Sequence, residues 1–373
     1  MKLSNFYPIK DNSFVYNTCP EFPTKDKVGI EVELEGLPYS KSIAIGDYWE
    51  LSKDPSLRDY GVEFRTRDGL WGEDLLLALK GLDKYIENYE KKFNKISVSE
   101  RCSVHIHLGM ENCETWTLYN MTVLFIIFEK MLFNFGGKDR RDLAYCIPLT
   151  ELNSLHSILD AMKWGRNGED YPANACHTSK YSFFNTLSLT NHGTIEVRNL
   201  SGTKDPLIIF KWIKILLAIK AYAIYLGKDF NMELLPSRVS QEGLVPFVDK
   251  IFGTFAEDLM YPGWSKDLLT CIRELQPFLL NKVEILHNFE RVKTRPLGLF
   301  RYKKLHQKVE PVFQVQNLFD VNPVQYEEPL NEVFVHAHPV PQGQENFINI
   351  DELLNHEGDE DDDEPEYDPD DHG

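Results

Sequence analysis

Four short stretches of this chain alternate apolar and polar side chains with a period of two, the pattern of half-buried β-strands. In Val28–Glu35, apolar residues at 28, 30, 32 and 34 frame carboxylates at 31, 33 and 35. Val62–Arg67 places Glu63, Arg65 and Arg67 on one face. In Cys102–Leu108, His105 and His107 lie opposite Val104, Ile106 and Leu108. Thr194–Arg198, opened by the turn Asn191-His192-Gly193, sets Thr194, Glu196 and Arg198 against Ile195 and Val197. A helical period takes over at 73–93, where Leu75, Leu76, Leu79, Leu82 and Ile86 share one side. Apolar segments around 114–135 and 205–227 and a stretch at about 265–291 predict three further helices. Residues 49–61, centred on Asp54-Pro55, read as a turn-rich connection.

The most apolar segments carry Glu129 and Lys130 in one case and Lys211, Lys214 and Lys220 in the other. Charges at that density are costly in a bilayer, so both are expected to be buried helices of a soluble fold. Six cysteines without a CxxC pair read as reduced thiols, and the start Met1–Phe6 lacks the apolar core of a signal peptide; both favour the cytosol.

The formal net charge of −18 is unevenly placed: Val309–Gly373 holds 19 of the 58 acids and no lysine or arginine, leaving 39 acids against 40 bases elsewhere. The body, 1–308, is therefore near neutral and shows no electrostatic footprint for nucleic acid. Residues 309–350 are expected to be an acidic extended appendage. The acid run in 351–373 cannot bury enough apolar surface to offset its ordering entropy and is expected to be disordered. Such a tail keeps the protein soluble or engages a basic partner.

If the four strands share one sheet, their apolar faces pack under helices and their polar faces form a floor of carboxylates, imidazoles and arginines. Hard divalent cations prefer carboxylate oxygens, and arginine binds phosphate or carboxylate bidentately, so the floor suits Mg-nucleotide chemistry with a charged co-substrate. Neither GxxxxGK[ST] nor GxGxxG occurs, which argues against P-loop and Rossmann binding.

Six motifs in order then carry a resemblance. They are Gly29-Ile-Glu-Val-Glu33, Asp54-Pro-Ser-Leu57 with Gly61-Val-Glu63, His105-Ile-His107, Arg141 ahead of Tyr145-Cys146, Lys180-Tyr181 with Asn185, and Gly193-Thr-Ile-Glu-Val-Arg198. Together, over about 28–205, they resemble the amidoligase family, relatives of glutamine synthetase and γ-glutamylcysteine synthetase. The resemblance implies an α+β body with a glutamine-synthetase-like antiparallel sheet cradle, helices packed on its apolar face, and closure by helices across 205–300. It implies ATP, Mg²⁺ (or Mn²⁺), small-molecule or peptide carboxylate and amine substrates, and an acyl phosphate on the way to an amide; the related synthetases are often oligomers. By the same resemblance Glu31, Glu33, Glu63 and Glu196 are metal ligands, and Asp54 is another or orders the loop beside them. His105 or His107 assists with metal or phosphate, and Arg198 neutralises the transferring phosphoryl group. Arg141 and Lys180 contact phosphate or substrate carboxylate, and Asn185 and Arg65 join the cofactor side. Where the family more usually has Asp-Gly-Ser this chain has Asp54-Pro55-Ser56, and proline cannot take the positive φ open to glycine.

Other expectations stand beside these. Glu35 is read as the exposed member of its strand, and Arg65 and Arg67 serve equally to balance the acidic strand. His105-Ile106-His107 with Glu111 spells HxHx₃E, a cupin-like arrangement that would favour transition metals, though the accompanying glycines are missing. A non-enzymatic protein of the same fold, acting through its acidic tail, is the other rival.

Overall fold

The structure, a computed structural model, describes residues 2–7, 19–36, 43–58, 61–93, 96–165 and 173–279. The sequence expectations for 309–350 and 351–373, and for the end of the helix expected to reach 291, lie outside the described residues.

Among the described residues, seven strands form one antiparallel sheet: β1 (Val28–Leu34), β2 (Ile43–Ile45), β3 (Trp49–Lys53), β4 (Val62–Thr66), β5 (Ser103–Gly109), β6 (Phe184–Asn185) and β7 (Thr194–Ser201). Their order is β2-β3-β4-β1-β5-β7-β6, so the acidic strand β1 sits between the arginine-bearing β4 and the histidine-bearing β5. The four alternating stretches are thus neighbours in one sheet. Val28, Ile30, Val32, Leu34, Val62, Phe64, Val104, Ile106, Leu108, Ile195 and Val197 are all fully buried, and their strand neighbours of opposite parity form the polar face.

Helices α1 (Gly72–Phe93), α2 (Thr115–Gly136), α3 (Leu155–Gly165), α4 (Ser188–His192), α5 (Pro206–Leu226), α6 (Leu235–Glu242), α7 (Leu244–Phe252), α8 (Ala256–Leu259) and α9 (Trp264–Leu279) complete the described body. α2 packs against β7 and against α3, α5, α8 and α9, which explains why it is apolar around its whole circumference. Among the described residues it is the one helix long and apolar enough to cross a membrane; 83% of its most apolar window is buried within the fold. α5 begins where Asp205 caps it, its side chain accepting from the Leu207 N–H, with Pro206 in the first turn.

Glu129, Lys211, Lys214 and Lys220, charges inside α2 and α5, have partners. Glu129 accepts from both the backbone N–H and the hydroxyl of Thr150. Lys220 binds Asp26 (2.5 Å) and the Gly109 carbonyl (2.6 Å), Lys211 binds Asp258 (2.8 Å), and Lys214 donates to the Glu21 carbonyl (2.5 Å). Each tethers a helix to a distant segment.

Two expectations are corrected. The turn-rich connection begins as strand β3, pairing Leu51 with Phe64 and burying Trp49, whose indole donates to the Ala78 carbonyl at 3.0 Å. Glu35 is 4% exposed: its carboxylate accepts from the Arg58 N–H at 2.8 Å, and its backbone pairs with Ser97. A loop folding over the strand end covers it, a long-range event that the local alternation does not contain.

Candidate active site

Register sets the polar face in rows. One row runs Glu50, Arg65, Glu31, His105; the next runs Gly29, His107, Glu196, Asn185; and Glu33 stands opposite Glu63. Four glutamates from three segments are thereby gathered over β1, with two imidazoles between them. Directly opposed residues on adjacent antiparallel strands hold their Cβ atoms within about 5.5 Å, close enough for every pair to interact.

His105 is the hub. Its Nδ1 lies 3.1 Å from Glu31 Oε2 and 3.3 Å from Glu196 Oε1, and its Nε2 lies 2.8 Å from Ser103 Oγ. The Ser103 hydroxyl donates to Glu33 Oε2 at 2.6 Å, so its single proton is spent and it accepts from His105 Nε2–H. Both ring nitrogens therefore donate, and His105 is an imidazolium. Burial alone would lower its pKa, but Glu33 and Glu31 outweigh that and raise it.

His107 is held differently. Its Nδ1 meets Thr194 Oγ1 at 2.9 Å and Ser188 Oγ at 3.3 Å, while the two hydroxyls bond each other at 2.9 Å. Its Nε2 is buried and stands 3.3 Å from Glu31 Oε1, an ion-pair contact without the alignment of a hydrogen bond. Gly29 stands opposite with little room to spare: a Cβ there would lie 3.1 Å from the His107 Cβ.

The carboxylates divide electrostatically. Burial would raise Glu31 and Glu196, but His105 and His107 overcome it and hold both below the usual range, with Arg198 adding to the effect on Glu196. Glu63 lacks such company. Burial, then Glu31, Asp54 and Glu33, push its pKa up to about 9, so it carries a proton at neutral pH.

These residues fit a divalent cation. Glu31, His107 and Glu196 each offer a ligand atom within 4.8 Å of the others, His107 Nε2 is buried without a hydrogen bond, and Glu63 is a carboxyl that a nearby cation would ionise.

Of the remaining sequence candidates, Arg198, Asn185 and Asp54 lie at or beside the cluster. Arg198 lies at the rim, its Nε 3.3 Å from Glu196 Oε1 and its Nη1 donating to the Lys180 carbonyl at 2.7 Å. Asn185 donates to Glu196 Oε2 at 2.8 Å and accepts from the Leu187 N–H, so both ends of its amide are engaged within the protein. Asp54 Oδ1 accepts from the N–H (2.8 Å) and hydroxyl (2.7 Å) of Ser56, ordering the loop beside Glu63; proline between them is compatible with this turn.

Three are drawn elsewhere. Arg65 is exposed and pairs with Glu50 at 3.1 Å. The Lys180 ammonium is exposed, 4.7 Å from the Tyr181 ring centroid, and only its carbonyl serves the cluster. Arg141 pairs with Glu151 at 3.4 Å and is not brought to the glutamates. Glu111 binds Lys27 at 3.0 Å instead of joining the histidines, so the HxHx₃E triad is not assembled.

Ser103, Ser188 and Thr194 were not singled out from sequence as partners of the imidazoles. Ser103 was accessible to the same parity argument, since 103, 105 and 107 share a face; Ser188 needed the tertiary fold.

With this geometry in view, residues 70–220 match the family model described as "Putative amidoligase enzyme", which supports an amidoligase family and a ligase enzyme. The matched stretch includes His105, His107, Asn185, Glu196 and Arg198; β1 to β4, with Glu31, Glu33 and Glu63, precede it. No curated protein matches the chain.

Proposed function

We propose that this protein is an ATP-dependent carboxylate–amine ligase, which phosphorylates a substrate carboxylate and lets an amine displace the phosphate to leave an amide. The observation that carries this reading is the assembly of Glu31, Glu63, Glu196 and the His107 Nε2 on one face of an antiparallel sheet, with Arg198 at its rim. The glutamine-synthetase-like cradle, the nucleotide and the acyl phosphate belong to the proposal, as do substrates that are small molecules or peptides.

Mg²⁺ or Mn²⁺, when bound, would neutralise phosphate oxygens and hold them in line for transfer. Glu31, Glu63, Glu196 and His107 are the residues that would hold it. Asn185 orients Glu196, and Thr194 with Ser188 orient His107, as outer partners of a metal site do. His105 is a fixed cation: with both nitrogens donating, it balances Glu31 and Glu33 and is unavailable as a base. Arg198, anchored through Lys180, presents a guanidinium to an incoming anion without reorganisation, which is how charge stabilisation becomes catalytic.

Equilibrium binding tests the reading first. A non-hydrolysable ATP analogue should bind in the presence of Mg²⁺ and lose about tenfold or more in affinity in Glu196→Gln, since removing one carboxylate ligand of a phosphate-bearing cation costs over about 1.4 kcal/mol. Binding that ignores both Mg²⁺ and this substitution would refute the proposal.

A further inference from the structure

Arg141 is the arginine that the resemblance would set on phosphate or substrate carboxylate, yet its neighbour is the arginine buried against the site. Arg140 is 2% exposed. Its Nη1 donates to the Cys102 carbonyl at 3.0 Å and its Nη2 to the Arg198 carbonyl at 3.2 Å; its Nε has no hydrogen bond and no carboxylate among the described residues pairs with it. The guanidinium lies 5.6 Å from the Tyr145 ring centroid. A buried guanidinium held by neutral groups, two carbonyls and the Cys146 thiol, is an expensive group, because no opposite charge offsets its desolvation.

The place where it binds explains its use. Val104 pairs with Leu200 and Ile106 with Val197, so the single residue His105 of β5 faces two residues of β7, Arg198 and Asn199. This is a β-bulge, which re-aims side chains and interrupts the ladder. The Arg198 backbone bonds on the side away from β5: its N–H donates to the Phe183 carbonyl (2.8 Å), in register with β6, and its carbonyl takes Arg140 and the Cys146 thiol (3.7 Å). Gly136 seals the far side, where a Cβ would lie 2.5 Å from the Asn199 carbonyl oxygen. The extra residue also shifts the alternation of β7 by one. Beyond it Ser201 pairs with Ser103, while before it Glu196 pairs with His107.

We propose that Arg140 is a positioning residue: by tying the Cys102 carbonyl to the bulge carbonyl of Arg198, it fixes the direction of the Arg198 side chain over Glu196. The claim rests on the glutamate–histidine cluster being the working site, and not on which reaction runs there. Lysine keeps the charge but has one ammonium where arginine has a planar fork, so it cannot span two carbonyls in the same way.

The test uses the full chain as wild type, Arg140→Lys, Arg198→Met and the double variant. Amide hydrogen exchange across 197–201 and labelling of Arg198 by an arginine-selective dicarbonyl, both read by mass spectrometry, report the bulge without any ligand. Arg140→Lys should lose about tenfold in protection there while β1 amides are unchanged, and Arg198 labelling should rise severalfold. Titration with Mn²⁺ alone reports the site. Arg198 competes for Glu196, so Arg198→Met and Arg140→Lys should each bind Mn²⁺ about threefold tighter, with no further gain in the double variant.

Unchanged protection and labelling in Arg140→Lys would overturn the proposal. So would an effect of Arg140→Lys on Mn²⁺ affinity that persists undiminished beside Arg198→Met. If the wild type binds no Mn²⁺, the cation site falls, and exchange with labelling still decides the role of Arg140. Should Arg140→Lys not fold, Arg140→Gln, which retains donors for one carbonyl, takes its place under the same criteria.

Discussion

Glu33 and Glu63 stand directly opposite one another across the β1–β4 ladder, yet they are held in different ways. Glu33 accepts two hydrogen bonds from Ser103, through its N–H at 2.7 Å and its hydroxyl at 2.6 Å, and lies 3.5 Å from His105 Nε2. Glu63 faces Glu31, Glu33 and Asp54 and keeps its proton. The acidic face is thus balanced on the β5 side and unbalanced on the β4 side, and the imbalance is what would draw a cation.

Glu63→Gln should therefore raise stability while weakening cation binding. Folding at neutral pH obliges Glu63 to take up a proton that the unfolded chain has released, and glutamine removes that cost, so a thermal midpoint a few degrees higher in chelator is expected, together with roughly tenfold weaker Mn²⁺ binding by calorimetry. A lower midpoint in chelator would mean that Glu63 is a structural partner and not a strained one.

Ser103→Ala removes the hydroxyl that joins Glu33 to His105. Two buried charged groups each lose a partner, which costs about 1–3 kcal/mol. Urea denaturation should show that loss; a change below about 0.5 kcal/mol would contradict the assignment of His105 as an imidazolium held by this bridge.

Gly29→Ala is a geometric probe. The new methyl would meet His107 at 3.1 Å and push its ring from the cluster. Mn²⁺ affinity should fall severalfold while stability changes by no more than about 1 kcal/mol. Unaltered affinity would mean that His107 contributes no ligand.

Away from the site, Glu129 governs a pH dependence. Burial pushes its pKa up to about 7, against hydrogen bonds from Thr150 that partly offset it. Between its ordinary value of 4.5 and that raised value, the folded state holds a proton that the unfolded chain has released. Stability from this group is thus full below the ordinary value and is lost as pH rises towards 7, by about 1.4 kcal/mol per unit and roughly 3 kcal/mol in all. Glu129→Gln should flatten that slope in a series of denaturation curves; an unchanged slope would place the dependence elsewhere.

The sheet was legible because its four central strands each bury one face, and burying one face imposes strict alternation on the sequence. β3 was not, because Trp49–Lys53 is short and runs into Asp54-Pro55, whose turn signal dominates the window. α3, α4, α6, α7 and α8 were also missed: they run for only four to eleven residues, too short for a helical period to stand out. In the site, parity alone put Glu31, Glu63, Glu196 and His107 on the polar face, while their roles there came only from the resemblance. Arg140 did not, since its approach to the cradle depends on the turn after α2 and on a bulge in β7, and neither leaves a periodic mark. Asn185 was found, but as a cofactor contact; the pairing of β6 with β7 turns it to Glu196.

The most direct test of the central claim is Mg²⁺-dependent release of ADP from ATP, measured across a matrix of carboxylates and amines with wild type and Glu196→Gln. The account predicts ADP only where a carboxylate and an amine are both present, dependence on Mg²⁺ or Mn²⁺, and a loss of about a hundredfold or more in the variant. ADP release that proceeds equally in Glu196→Gln, or a wild type that binds no Mg-ATP at all, would contradict it.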